Sequence, residues 1–124
     1  MLLGLATEGN IRGVKMENCD VINYQNVFSM QEHGGFAQIV ATGGKTISDV
    51  TIKDVRIDKV RFPIIAQFLQ IRAGFSLYGT GHVKNVKIEN VSYASECKAK
   101  SLVAVIIPGG SVSNITFKDV TIAG

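Results

Sequence analysis

The stretch Ile47-Ser48-Asp49-Val50-Thr51-Ile52-Lys53-Asp54-Val55-Arg56-Ile57 decides the fold, because its order of apolar and polar residues recurs elsewhere in the chain. Upstream stands Ile11-x-x-Val14-x-Met16-x-Asn18-Cys19-x-Val21. Downstream stand Val83-x-x-Val86-x-Ile88-x-Asn90-Val91-x-Tyr93 and Val112-x-x-Ile115-x-Phe117-x-Asp119-Val120-x-Ile122. Successive copies are 36, 36 and 29 residues apart. Within a copy, Val50-Thr51-Ile52-Lys53 alternates apolar with polar, which is the period of a strand with one face buried.

The step between copies is too short for a strand, a helix and two loops repeated in full, and it suits short strands joined by bends. The pieces between copies, Pro63-Ile64-Ile65-Ala66-Gln67-Phe68 and Leu102-Val103-Ala104-Val105-Ile106-Ile107, read as further buried strands. The pattern predicts an all-β chain with a single domain over residues 1–124, built as about four coils of a right-handed parallel β-helix. Met1-Leu2-Leu3-Gly4-Leu5 reads as a strand already inside the stack, and Thr121-Ile122-Ala123-Gly124 stops inside the last coil. Neither looks like a cap, so the open strand edges predict end-to-end self-association.

Two columns follow from stacking the copies. Asn18, Asp54, Asn90 and Asp119 sit where each strand turns a corner, and both residue types tolerate the left-handed conformation and bond their neighbours' backbone. Glu17, Lys53, Glu89 and Lys118 fall on outward positions, where equivalent residues of a parallel stack lie about 4.8 Å apart. Their alternating signs place opposite charges side by side, so this column is expected to stabilise the sheet rather than to catalyse. Gly9, Gly44, Gly81 and Gly110 each precede a copy by two or three residues, where a sharp bend or positive φ is expected.

Composition agrees with strands and tight turns: 46% of residues are hydrophobic, 19% are charged, and there are 13 Gly, two Pro and no Trp. The net charge of +3 comes from scattered basic residues, with no run or aromatic-interleaved stripe of the kind that binds nucleic acid. Met1-Leu2-Leu3-Gly4-Leu5-Ala6 is too short to span a membrane and lacks the basic start and long apolar stretch of a secretory signal. Cys19 and Cys97 have neither metal-ligand nor Cys-x-x-Cys spacing. Cys19 occupies the place of Val55, Val91 and Val120 and reads as a small apolar residue, and a disulfide to Cys97 would have to cross two turns.

Taken together, Ile47 to Ile57 and Val112-Ser113-Asn114-Ile115-Thr116-Phe117-Lys118-Asp119-Val120-Thr121-Ile122 look like coils of pectin-lyase-like β-helices. Within that superfamily, Val14-Lys15-Met16-Glu17-Asn18-Cys19-Asp20-Val21-Ile22-Asn23 resembles glycoside hydrolases of the polygalacturonase and dextranase type. The resemblance implies cleavage of a polysaccharide by clustered carboxylic acids, without metal or organic cofactor, outside the cell. This chain departs from the polygalacturonase motifs Asn-Thr-Asp, Asp-Asp, Gly-His-Gly and Arg-x-Lys. His33-Gly34-Gly35 and Arg72-Ala73-Gly74 are partial echoes, and no two Asp residues are adjacent. A chain that starts and stops mid-pattern is then expected to be a C-terminal part of the helix, with the acid pair largely upstream. The alternative is a noncatalytic carbohydrate-binding or adhesion module.

The least repeat-like stretch runs from Asp20 to Gly35 and holds Tyr24, Gln25, Asn26, Gln31, Glu32 and His33. Asp20, Glu32 and His33 are the catalytic candidates, since glycosidic cleavage needs two carboxyl groups roughly 5 to 9 Å apart. Tyr24, Gln31, Gln67, Arg72 and Tyr78 are the substrate-binding candidates: amides and guanidinium suit sugar hydroxyls, and Tyr78 can stack on a sugar ring. Gln67, Gln70 and Arg72 also read as ordinary outward strand positions. His82 has no acidic or Cys neighbour at ligand spacing, so no metal site is expected. Gly79-Thr80-Gly81 and Ala41-Thr42-Gly43-Gly44 read as turns, lacking the Lys and helix of a phosphate loop.

Overall fold

The computed structural model describes residues 2–4, 9–22, 36–60, 66–75, 77–95 and 99–123, and every regular element among them is a strand. In chain order these are β1 (Leu2–Gly4), β2 (Ile11–Arg12), β3 (Lys15–Ile22), β4 (Ala37–Ala41), β5 (Thr46–Val60), β6 (Ala66–Phe75), β7 (Gly79–Thr80), β8 (His82–Ser95), β9 (Ala99–Ile106) and β10 (Ser111–Ala123). The repeated motif falls on β2 and β3, then β5, β8 and β10, and these pair into one sheet. The strands between the copies, β1, β4, β6 and β9, pair into a second sheet, with β7 attached to β6. All ladders within the two sheets are parallel, and the short β6–β7 contact is antiparallel.

The register follows the repeat. Ile47 pairs with Ile11 and Val83, Ile52 with Met16 and Ile88, and Val112 with Val83. The expected charge column is in place: Lys53 lies beside Glu17 and Glu89, and Lys118 beside Glu89. Cys19 pairs with Val55, half-buried and free of any disulfide; Cys97 lies outside the described residues.

Left-handed residues divide every copy into short segments. Asn18, Asp54, Asn90 and Asp119 have φ of 52°, 54°, 48° and 53°, as the sequence predicts. A second such column precedes it by five places: Asp49, Asn85 and Asn114 have φ of 56°, 58° and 56°, and Gly13 takes the same place at 75°. The pairing between strands skips these positions, so each long strand is a series of extended pieces joined at left-handed corners.

Side chains between the sheets form the core. Ile47, Val50, Ile52 and Val55 from β5 and Val83 and Ile88 from β8 are fully buried against Ile39, Leu69 and Ile71 from the other sheet. Phe68 fills one side, its ring stacked on Phe36 at 5.9 Å and edge-on to Tyr93 at 5.6 Å. The glycines before each copy serve different needs. Gly44 has φ of +71°, whereas a Cβ on Gly81 or Gly110 would lie 2.0 Å from the Ala41 carbonyl oxygen or 2.2 Å from that of Ala73. Gly9 meets neither demand: a Cβ there would meet nothing within 4 Å, and its φ is not positive.

Candidate functional site

The outer face of the motif-bearing sheet carries a row of hydrogen-bonded polar side chains. Asn114 Nδ2 donates to Asn85 Oδ1 at 2.7 Å, Asn85 Nδ2 to Asp49 Oδ1 at 3.1 Å, and Arg12 Nε to Asp49 Oδ2 at 3.0 Å. One partner per copy thus links all four copies. The row exists because the left-handed corner favours Asn, Asp or Gly in each copy, and stacking sets those side chains directly above one another.

Grooves flank the row on both sides. One, of about 420 Å³, runs past Lys15, Thr51, Lys87 and Thr116. The other, of about 520 Å³, runs past Asn10, Arg12, Thr46, Ser48 and Lys84. Both share Asp49 and Asn85, so the two grooves lie on either side of one line of amides. Four cationic side chains border them against the single carboxylate of Asp49, which is already engaged by Arg12 and Asn85. Both are open; the groove past Asn10, Arg12 and Lys84 is mainly polar and suits groups that exchange hydrogen bonds with water, while the other exposes more apolar than polar surface.

Among the catalytic candidates, Asp20 is the one whose side chain is described. It lies on β3 beside Arg56 of β5, and Arg56 Nε donates to its Oδ1. Arg56 Nη2 also donates to Asn18 Oδ1 at 3.1 Å. The hydrogen bond from Arg56 to Asp20, with the guanidinium charge adding to it, holds the Asp20 carboxyl below the usual carboxylate range. A group so held is ionised at neutral pH, which suits an ion pair and opposes a proton-donating role. Glu32 and His33, with Tyr24 and Gln31, lie outside the described residues.

Three binding candidates fall on or next to β6. Gln67 pairs with Lys100 in the ladder to β9. Arg72 is half-buried, its guanidinium 5.4 Å from the centre of the Phe75 ring. Tyr78 lies in the turn after β6, 45% exposed, its ring tilted 6.0 Å from that of Phe75. Arg72, Phe75 and Tyr78 therefore make one cluster, with Leu77 beside it 81% exposed. Gln70, read as an outward surface residue, is 2% exposed and belongs to the interior of its sheet. His82 Nδ1 and Ser111 Oγ share a hydrogen bond of 2.7 Å.

The amide row itself was missed by the sequence reading. Its signal was present: the third place of each copy is Gly13, Asp49, Asn85 or Asn114, all residue types suited to positive φ.

No helix among the described residues is long and apolar enough to cross a membrane. Comparison of the chain with protein-family models, with characterised proteins and with solved structures finds no match.

Proposed function

We propose that the chain is a stretch of right-handed parallel β-helix from a polysaccharide-acting protein of the glycoside hydrolase type, and that its described coils bind polymer rather than break it. The helical winding is supported by the chain passing back and forth between two parallel sheets, with each motif strand paired to the next copy's in register. Parallel strands joined by crossovers take the right-handed sense in nearly all folds.

The observation that carries the binding role is the line of hydrogen-bonded side chains, Arg12, Asp49, Asn85 and Asn114, with a groove on each side. It runs across the strands, so a linear polymer laid along it would meet polar side chains from every copy. Lys15 and Lys84 along the grooves, beside Arg12 and Lys87 that already face Asp49 and Glu89, favour a polymer bearing carboxylates over a neutral one. The Arg72, Phe75 and Tyr78 cluster offers a separate place for a sugar ring to stack. Cleavage, in this reading, falls to acids outside the described coils, with Glu32 the first candidate, and the protein acts outside the cell.

The test is binding and reducing-end release on polygalacturonate, dextran, another α-glucan and xylan, with Asn85→Ala and Glu32→Gln alongside. Salt-sensitive binding to polygalacturonate, weakened several-fold by Asn85→Ala, is the expected result. Release lost in Glu32→Gln adds a working acid. Binding to no polymer overturns the proposal.

A further inference from the structure

The basic residues that border the polar row are not spread evenly along it. On one side stand Arg12, Ser48, Lys84 and Ser113, on the other Lys15, Thr51, Lys87 and Thr116, each series in register from copy to copy. The first and third copies therefore set a cation on either side of the row, and the second and fourth set a hydroxyl there. Between the cationic copies the row itself holds the carboxylate of Asp49. Adjacent strands lie about 4.8 Å apart, so the cationic copies are two spacings apart, about 10 Å.

This period sorts acidic polymers by the order of their charges. A pyranose in an extended chain advances by close to one strand spacing, so a polymer laid along the row sets one sugar against each copy. Carboxylates on every second sugar then meet Arg12 and Lys15, and next Lys84 and Lys87, while the sugar between them turns hydroxyls to Ser48, Asp49 and Thr51. Asp49 accepts hydrogen bonds from a hydroxyl and repels a carboxylate. A uronic acid homopolymer brings a carboxylate to every copy, so one of them falls beside Asp49. Arg12 and Lys87 already face Asp49 and Glu89 at 3.0 and 3.8 Å, but these pairs are exposed and weak, and an incoming carboxylate can share their cations. Lys53 stands between Glu17 and Glu89 in the neighbouring column and lines neither groove.

We propose that the row selects an alternating polysaccharide, an acidic sugar followed by a neutral one, with the acidic sugars at the first and third copies. This rests on the polymer-binding reading above and adds to it the order of charge along the ligand. Net charge alone favours the homopolymer, and the period of the cations reverses that preference.

The experiment is isothermal titration of the full chain, at one ionic strength, with equal-length oligosaccharides of hyaluronan, in which carboxylated and neutral sugars alternate, of polygalacturonate and of dextran. Hyaluronan is expected to bind several-fold more tightly than polygalacturonate, with dextran weakest. With folding read first by circular dichroism, Lys84→Gln lowers hyaluronan affinity several-fold, and Lys53→Gln leaves it unchanged. Asp49→Asn keeps a residue suited to the left-handed corner, raises polygalacturonate affinity and narrows the ratio between the two acidic ligands. Polygalacturonate or dextran bound as tightly as hyaluronan overturns the alternating order while the polymer-binding reading stands. A ratio that folded Asp49→Asn does not narrow does the same, and if that variant fails to fold, hyaluronan affinity unchanged in Lys84→Gln, an exposed position, overturns it. Binding to none of the three ligands overturns both readings.

Discussion

Strands β5 and β10 carry nearly the same motif, and their side chains meet different fates. Ile52 in β5 is fully buried, while Phe117 at the same place in β10 is 37% exposed. Ile47, Val50 and Val55 are likewise sealed, and Val112, Ile115 and Val120 only partly so. Local sequence sets which face a side chain points to, because both strands keep the same left-handed corners. How much water it then excludes depends on whether a further strand lies on each side. Stability in such a stack comes from neighbouring copies, as in other repeat architectures.

The sharpest test of that difference is a pair of truncations. Ile52→Ala removes a fully enclosed side chain and is expected to cost ~2–5 kcal/mol in urea denaturation at low protein concentration. Phe117→Ala removes a larger side chain yet is expected to cost less than ~2 kcal/mol, because part of its surface is wet in the folded state. Equal costs would mean that the two strands are equally enclosed and would break the comparison.

Glycines sharpen the same contrast at the level of backbone. A Cβ on Gly81 would meet the Ala41 carbonyl oxygen at 2.0 Å, inside the turn that leads into β8, while Gly9 before the first copy has open space. Gly81→Ala is expected to cost roughly 1–3 kcal/mol, since backbone must shift to admit it. Gly9→Ala is expected to be close to neutral. Thermal midpoints of the two variants measured together decide the point.

The corner residues come next in size. Asp49 holds φ of 56° and accepts from both Arg12 and Asn85. Asp49→Ala puts a residue that disfavours the left-handed region at that corner and leaves two donors to water, for roughly 1–2 kcal/mol. Asp49→Asn keeps the corner and an acceptor, so it should fall well short of that loss; a match between the two would show that the conformation is not what the position selects.

Much of this architecture was legible because one motif is written four times, and each copy confirms the reading of the others. Alternation placed Ile52 and Ile88 inward, and the Asn18 and Asp54 column announced its own left-handed corners. The second corner column was overlooked because Gly13, Asp49, Asn85 and Asn114 occupy places that the apolar pattern leaves open. Gln70 was placed outward because a polar residue in a strand reads as surface when the rest of its surroundings are unknown. It pairs with Gln38 and Val103, and the packing around β6 takes it out of water. The β6–β7 contact escaped notice because two residues, Gly79 and Thr80, carry no period. The candidate site was the least legible part, since its amide row is made by stacking and no single copy contains more than one member.

The smallest effect concerns Asp20 and Arg56, which with Arg12 and Asp49 tie the first copy to the second on the solvent side. Both side chains are largely in water, 62% and 48% exposed, so screening keeps their contribution modest. Its sign is nonetheless fixed. The Arg56 hydrogen bond depresses the Asp20 pKa in the folded chain below the ordinary 3.8, so the pair's stabilisation is present above that value and is lost as pH falls through the folded one. Asp20→Asn should therefore be slightly less stable than wild type at pH 7 and should lose less stability on passing below pH 4, measured by urea midpoints across that range. Titration of Asp20 by carbon-detected NMR gives the same answer directly. A carboxyl that titrates above its ordinary value would mean that Arg56 does not hold it, and would return Asp20 to consideration as a proton donor in glycosidic cleavage.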